Sequence, residues 1–504
     1  MKKKLLTTAV LAGIAGTAGA VNINPDGLGQ VGIFPYYTVQ SGNTTLISIT
    51  NTSETDAKAI KVRILEGKNS REVLDFNLYL SPSDIWTAAI SPDGTTGAKI
   101  ATTDKSCTVP AIPAAGVTFR NFEYVGTKAD GEDTSLARTR EGHIEILEMG
   151  TLGDAVPGGG VAGNQAPFNP KQWSTHVSGV PFSCTNLVNA WSSGIWTTVP
   201  STQIFAPNGG LYAGAIIVNV AAGAGNANNA VMLDAFRTAQ VHTGPGDLSP
   251  SLAQASPASS IVFNNGAIVS TNWTGSNPGA AFIGLNAVSA TLMRKSVMND
   301  FSVDTTLAAA TDWVVTFPTK RDYVAHPGAA VALVVRPPFT TNFGAGVGGS
   351  PSRAGAKNPV TFPPTTGGAC EVVTLKVWDR EEFTPGSGID FSPQDTPGSN
   401  SLCWETNVIT FGSASTTSAL GSSLRLNVNP PVSQQNGWMR LTFSDARHLM
   451  TSNPVFDGGV TRVYGGLPVV GFAVQNYINN AVSAGVLANY GVLFDHRYTR
   501  SISP

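Results

Sequence analysis

From Thr44 onward the chain alternates. Thr44-Thr45-Leu46-Ile47-Ser48-Ile49-Thr50 sets polar against apolar at every second position and ends in the turn residues Asn51-Thr52-Ser53. The pattern returns over Ala59 to Leu65, Val73 to Leu80 and Ile85 to Ile90, separated by Glu66-Gly67-Lys68-Asn69-Ser70, Ser81-Pro82 and Ser91-Pro92-Asp93-Gly94. Successive strand side chains point to opposite faces, so Ile60, Val62 and Ile64 belong to one face and Lys61 and Arg63 to the other. Short alternating runs with turn chemistry between them predict an antiparallel sandwich.

Further along, Gly214 to Val220, Asp312 to Phe317, Glu371 to Asp379, Leu424 to Val428, Gly437 to Phe443, Val469 to Val474 and Gly485 to Phe494 add strands. Ile261-Val262-Phe263 and Ala267-Ile268-Val269 flank Asn264-Asn265-Gly266, a hairpin signal. Helices are expected over Asn228 to Gln240, where Val231, Leu233, Ala235 and Phe236 follow an Asn-rich start, and over Ser444 to Met450. The reading is mainly β: two or more antiparallel β-sandwich-type domains with a few short helices. It divides the chain into residues 1–20, an N-terminal sandwich over 21–150, a central β-rich region over 151–336, a Pro/Gly-rich loop or linker over 337–369 and a C-terminal β domain over 370–504. No repeat of fixed period is present.

The first twenty residues read as a targeting segment. Lys2-Lys3-Lys4 precede the apolar run Leu5 to Ile14 and the small-residue site Ala18-Gly19-Ala20, the three parts of an export signal in order. Removing it would make Val21 the first residue and take the net charge from −2 to −5. The segment Val21 to Val39 that would then begin the chain, with Val31-Gly32-Ile33-Phe34-Pro35-Tyr36-Tyr37, either adds a strand to a neighbouring copy or folds back as the first strand of its own domain. No later stretch is apolar enough for a transmembrane helix: Leu211 to Gly225 is interrupted by Asn219, and Gly279 to Met293 by Asn286 and Ser289.

Composition sharpens this picture. Only 13% of residues are charged, about half the usual ~25%. The near-neutral balance gives no basic field for nucleic acid. The four cysteines, Cys107, Cys184, Cys370 and Cys403, allow three pairings; Cys107–Cys184 and Cys370–Cys403 are expected because each joins sequence neighbours.

Recognisable catalytic patterns are missing. The six histidines are scattered, with no HExxH, GxSxG or SxxK. Gly344 to Gly349 is glycine-rich but has no strand before it or helix after it, so it reads as a loop. Asp130-Gly131-Glu132-Asp133 and the loop carrying Asp390 and Asp395 are the places to look for structural calcium; neither matches a calcium loop, and a solvated turn is the plainer reading. Trp86, Trp313, Trp378 and Trp438 fall inside strand runs, where core packing is expected.

Asp312 to Arg321, Gly471 to Arg497 and Asn43 to Ile90 together resemble a poorly characterised family of exported proteobacterial cell-surface, surface-layer-like proteins. The resemblance implies a surface location and a structural job, and it transfers no catalytic residue. The function expected is an exported, non-enzymatic structural protein that self-assembles into a surface layer or filament through polar β surfaces. Its partners would be itself and cell-envelope glycans, with no nucleic acid and no cofactor. Alternatives are an adhesin or carbohydrate-binding protein, an outer-membrane β-barrel and an exported hydrolase.

Overall fold

The structure is a computed structural model that describes residues 19–156, 167–324, 336–340, 369–382, 391–392, 400–412, 418–430, 434–443 and 446–504. The stretch read as an export signal, save Gly19 and Ala20, lies outside the described residues, as do most of 337–369 with its Gly344 to Gly349 run, Asp390, Asp395 and His326. The fold is mainly β: 47% of the described residues are strand and 13% helix.

The strands of the four large sheets are, in chain order, β1 (Ala20–Ile23), β2 (Val31–Thr38), β3 (Asn43–Asn51), β4 (Lys58–Glu66), β5 (Glu72–Leu80), β6 (Ile85–Asp93), β7 (Gly97–Ala101), β8 (Cys107–Val109), β9 (Val117–Thr118) and β10 (Glu141–Leu152). There follow β11 (Ile204–Phe205), β12 (Leu211–Asn219), β13 (Ala224–Asn229), β14 (Val231–Asp234), β15 (Ser259–Asn264), β16 (Ala267–Asn272), β17 (Ser296–Ser302) and β18 (Ala309–Thr316). The last set is β19 (Glu371–Asp379), β20 (Phe391–Ser392), β21 (Asn400–Leu402), β22 (Thr406–Phe411), β23 (Arg425–Val428), β24 (Asn436–Phe443), β25 (Val470–Ser483), β26 (Val486–Asp495) and β27 (Arg497–Thr499). The helices that matter below are α1 (Cys184–Ser192) and α2 (Ile283–Leu292).

Four large sheets organise them. Sheet I runs β16-β15-β1-β14-β2-β10-β4-β5-β8, with β11 beside β10; sheet II runs β13-β12-β3-β6-β7-β9. Sheet III runs β21-β19-β24-β17-β27 and sheet IV β20-β23-β22-β18-β25-β26. Each is an open path with two ends. Ile60, Val62 and Ile64 face Trp86, Ile90, Ile47 and Ile49 across the first sandwich, sheet I on sheet II. Val373, Val377, Met439 and Leu441 face Trp313, Val315, Ile409 and Phe411 across the second, sheet III on sheet IV. Tyr36, Ile217, Val314, Phe472 and Val474 join the two. Trp86 and Trp313 are thus core, as their strand positions predicted.

The sheets divide elsewhere than at residue 150. β10 crosses that point, and β12 to β16 complete sheets begun by the first hundred and fifty residues. The helix expected over Asn228 to Gln240 is not formed. Val231–Asp234 is strand β14, hydrogen-bonded to β1 and β2, and Ala235 has a left-handed φ of 50°. Pairing on both sides of a short apolar run overrode a weak helical pattern. Ser444 to Met450 is likewise turn at Ala446–Arg447 and strand from Leu449, with Ser444 and Asp445 outside the description. The hairpin at β15–β16 forms as predicted: Asn264 pairs with Ala267 around Asn265 and Gly266, both at positive φ (49° and 81°), a backbone that Asn-Gly adopts readily. The segment from Val21 folds back into its own chain, β1 between β14 and β15 and β2 between β14 and β10, so it is not free to be donated.

The disulfides are Cys107–Cys184, which ties β8 to α1, and Cys370–Cys403. They are the expected pair.

Candidate functional site: a buried ionic layer and an uncharged edge

Sheet I is covered on both faces, and this changes the fate of its charges. Beyond the sandwich core, its second face meets α1 with Trp173 and Trp196, α2 with Leu252 and Phe236, and the chain around 243–251. Lys61 and Arg63, on the face opposite Ile60 and Val62, are therefore 0% and 5% exposed. Buried charges persist only when paired and hydrogen-bonded, and these are. Lys61 Nζ is 2.9 Å from Asp75 and donates to the Gly244 carbonyl at 2.8 Å. Arg63 bonds Glu72 at 2.8 Å and Glu145 at 2.7 Å. Lys58 pairs with Glu148 at 2.7 Å.

The acidic run at 130–133 belongs to the same system. Asp130 is buried, accepts from Arg138 at 2.8 and 2.9 Å and from Asn69, and Arg138 reaches on to Glu66 at 2.9 Å. Glu132 pairs with Lys68 at 2.8 Å. Burial alone would raise the Asp130 pKa; the hydrogen bonds and charge of Arg138 outweigh it and hold it at about 2. Asp130 and Glu132 are thus an ion-pair anchor spent on cations from the chain itself, while Asp133 stays in the exposed turn expected there and accepts from Ser135.

Where the layer meets the segment after β18 there is a cavity of about 130 Å³, lined by Arg63, Ser70, Glu145, Ser251, Arg321 and Asp322 among others. Burial raises Glu145 to about 7, with Arg63 pulling back and Asp322 adding to the rise. His143, two positions before Glu145 on β10, is buried without a hydrogen-bond partner at either ring nitrogen, and burial lowers it to about 3. Two carboxyl groups with raised pKa values in one cavity are the nearest approach to acid–base chemistry. The space is well below the ~300 Å³ at which small-molecule pockets begin. A larger cleft, about 850 Å³, lies between Asn43, Asn219, Thr305, Ser418 and Asn476, with Arg425 its one charged lining residue. Its amides are committed to internal bonds: Asn43 to Leu420, Asn219 to Ser41 and Asn476 to Ala419. The histidines stay apart, and among the described residues no three His, Cys, Asp or Glu side chains are placed to hold a metal ion.

The outside reverses this arrangement. From Val463 to Phe494 the sequence holds no charged residue, and this stretch contains all of β25 and nearly all of β26. β26 is the last strand of sheet IV, and no described strand pairs with its outer edge. Leu487 is 62% exposed, Tyr490 61% and Phe494 47%, with Val482, Val486 and Val492 exposed beside them. The inner face of β26 lies close against β13, because Gly491 has no side chain: a Cβ there would stand 2.7 Å from the Gly225 carbonyl oxygen. Asn489 donates to the Ala222 carbonyl, and Asn226 to Asn476 on β25 at 3.1 Å. The hairpin is thus held on one face, and no described strand covers its edge.

Of the residues singled out from sequence, the cysteines pair as expected. Trp378 and Trp438 do not enter the core: they stack on each other, half-buried, on the outer face of sheet III. The ionic layer and the bare edge were both missed; the uncharged run Val463 to Phe494 was the signal available for the second. No described helix is long and apolar enough to cross a membrane. Compared with known proteins, the chain matches no family model, no curated protein and no solved structure.

Proposed function

We propose that this is an exported, non-enzymatic structural protein of the cell surface that self-associates through the edge of β26. The observation that carries the reading is that edge: Val486 to Phe494, uncharged, mostly apolar and unpaired on its outer side among the described residues. Natural edge strands are normally protected by charges, prolines or bulges, and this one keeps its register shifts at the hairpin tip, away from Tyr490 to Phe494. An antiparallel pairing of β26 with β26 of a second copy is two-fold symmetric, satisfies the free backbone groups and covers Tyr490, Val492 and Phe494 together. Assembly through this edge replaces the polar β surfaces expected from composition. The export pattern at Lys2 to Ala20 and the two disulfides support a place outside the cytoplasm. The likeness to surface-layer-like proteins, drawn from sequence strings, agrees with it.

Sedimentation velocity across a hundredfold concentration range, with electron microscopy of the concentrated sample, tests the proposal. Dimers or larger ordered assemblies are expected, and Val492→Lys is expected to shift the equilibrium towards monomer. A strict monomer at every concentration overturns it.

A further inference from the structure

A second exterior feature runs opposite to the bare edge. In sheet III, Val373, Val377, Met439, Leu441, Val297 and Phe301 point into the core. The residues between them therefore share the outer face. The strand register aligns them in rows: Lys376 lies opposite Arg440, Arg440 opposite Met298, and Met298 opposite Arg497. The next row is Trp378, Trp438 and Asp300. Neighbouring strands are ~4.8 Å apart, so Lys376, Arg440 and Arg497 form a cationic row about 15 Å long across four strands.

These cations differ from the rest of the basic residues just described. Lys58, Lys61, Arg63 and Arg138 are buried and paired with carboxylates. Among the described residues, no carboxylate lies within ion-pair distance of Lys376, Arg440 or Arg497; Arg440 Nε faces the Met298 sulfur at 3.4 Å, and its guanidinium stands 5.5 Å from the Trp438 ring centre. Trp378 and Trp438 are stacked at 4.1 Å between centres and 9° between planes, and Lys376 Nζ stands 4.8 Å from the Trp378 ring centre. Neither indole N–H has a protein acceptor among the described residues. In these two rows every polar side chain but Asp300 is a donor: an ammonium, two guanidinium groups and two indole N–H groups, set around a stacked aromatic wall.

We infer that this face binds an acidic polysaccharide, a chain of sugar rings bearing carboxylates. Guanidinium and ammonium groups spaced along a row take successive carboxylates by charge-assisted hydrogen bonds. Sugar hydroxyls accept from the indole N–H groups, and the apolar faces of the rings lie against the aromatic wall. Single-stranded nucleic acid, whose phosphates the same cations could meet, is one of the outcomes the test separates. The inference is independent of the β26 edge, which lies in another sheet.

Affinity electrophoresis of the purified protein in gels containing alginate, a polyuronate, tests it, with neutral dextran, oligo-dT and vesicles of phosphatidylcholine and phosphatidylglycerol as the other probes. Expected is retardation by alginate and not by dextran, lost in 0.5 M salt, and weakened at least tenfold in Lys376→Gln/Arg497→Gln, two exposed positions with no ion pair to lose among the described residues. Should that double variant fail to fold, Arg497→Gln alone is expected to weaken retardation about threefold. The monomeric Val492→Lys protein should bind alginate as well as the parent, which separates this inference from the assembly reading. No retardation by alginate, retardation unchanged in the variants, or tighter binding to oligo-dT or to anionic vesicles overturns it.

Discussion

β4 and β26 are nearly equal in length and opposite in design. β4 carries Lys58, Lys61, Arg63 and Glu66 and is buried along its whole length; β26 carries no charge before Asp495 and is exposed over most of its own. In an ordinary sandwich strand the charged positions mark the solvent side. Here sheet I is the middle layer of three, so its charges had to find partners or be lost. Eighteen charged side chains are buried among the described residues, out of 31 basic and 33 acidic residues in the chain. The lesson is that a chain already poor in charge commits many of its charges to the interior, and an exterior short of charge is one on which an apolar edge can stay available for pairing.

The comparison breaks most violently at Arg63. Arg63→Ala leaves Glu72 and Glu145 buried without their cation and should cost about 4–5 kcal/mol, read as a fall in the urea midpoint. Midpoints within error of the parent would mean that the layer is not a paired, water-free one. Replacing Cys370 and Cys403 together should cost about 3.5 kcal/mol for a loop of separation 33, by chain entropy, and should lower the melting temperature without freeing the β26 edge.

A pH scan sharpens the contrast further. Glu145 and Glu405 are raised by burial to about 7 and about 8. Such groups contribute stability that is fully present below the unfolded value near 4.5 and lost as pH rises through 7 to 8. His143 and His242, lowered by burial to about 3, and His496, to about 4, act the other way: their contribution is present above the unfolded value near 6.5 and lost as pH falls through 4 to 3. Stability should therefore peak near pH 5–6. Glu405→Gln, at a carboxyl with no hydrogen-bond partner at either oxygen, should remove on the order of 1–3 kcal/mol of the loss between pH 5 and 8.5. A melting temperature that keeps rising to pH 9 contradicts the assignment. The smallest effect belongs to the outside: Val492→Lys should change the stability of the monomer by less than about 0.5 kcal/mol while changing its association.

Much of the architecture was legible in the chain. Ile60, Val62 and Ile64 fell on the core side, Asn265-Gly266 made its turn, and the cysteines paired with their sequence neighbours. What could not be read was the third layer. Period-two alternation assigns Lys61 and Arg63 to a face and says nothing of what covers it, and the cover comes from segments nearly two hundred residues away, such as Gly244. Trp378 and Trp438 failed for the same reason, in the opposite sense: the strand pattern predicted a core, and the face they occupy is open. Met232 and Leu233 suit a helix or a strand, and only pairing with β1 and β2 decides between them.

The central claim is that the uncharged edge of β26 is where copies meet. Hydrogen exchange followed by mass spectrometry, on dilute monomer and on concentrated assembly, tests it at the backbone itself. The account predicts that amides within 486–494 slow by at least tenfold on assembly while the half-buried edge strand β9 of sheet II stays unchanged. Assemblies that form with exchange in 486–494 unaltered would contradict it.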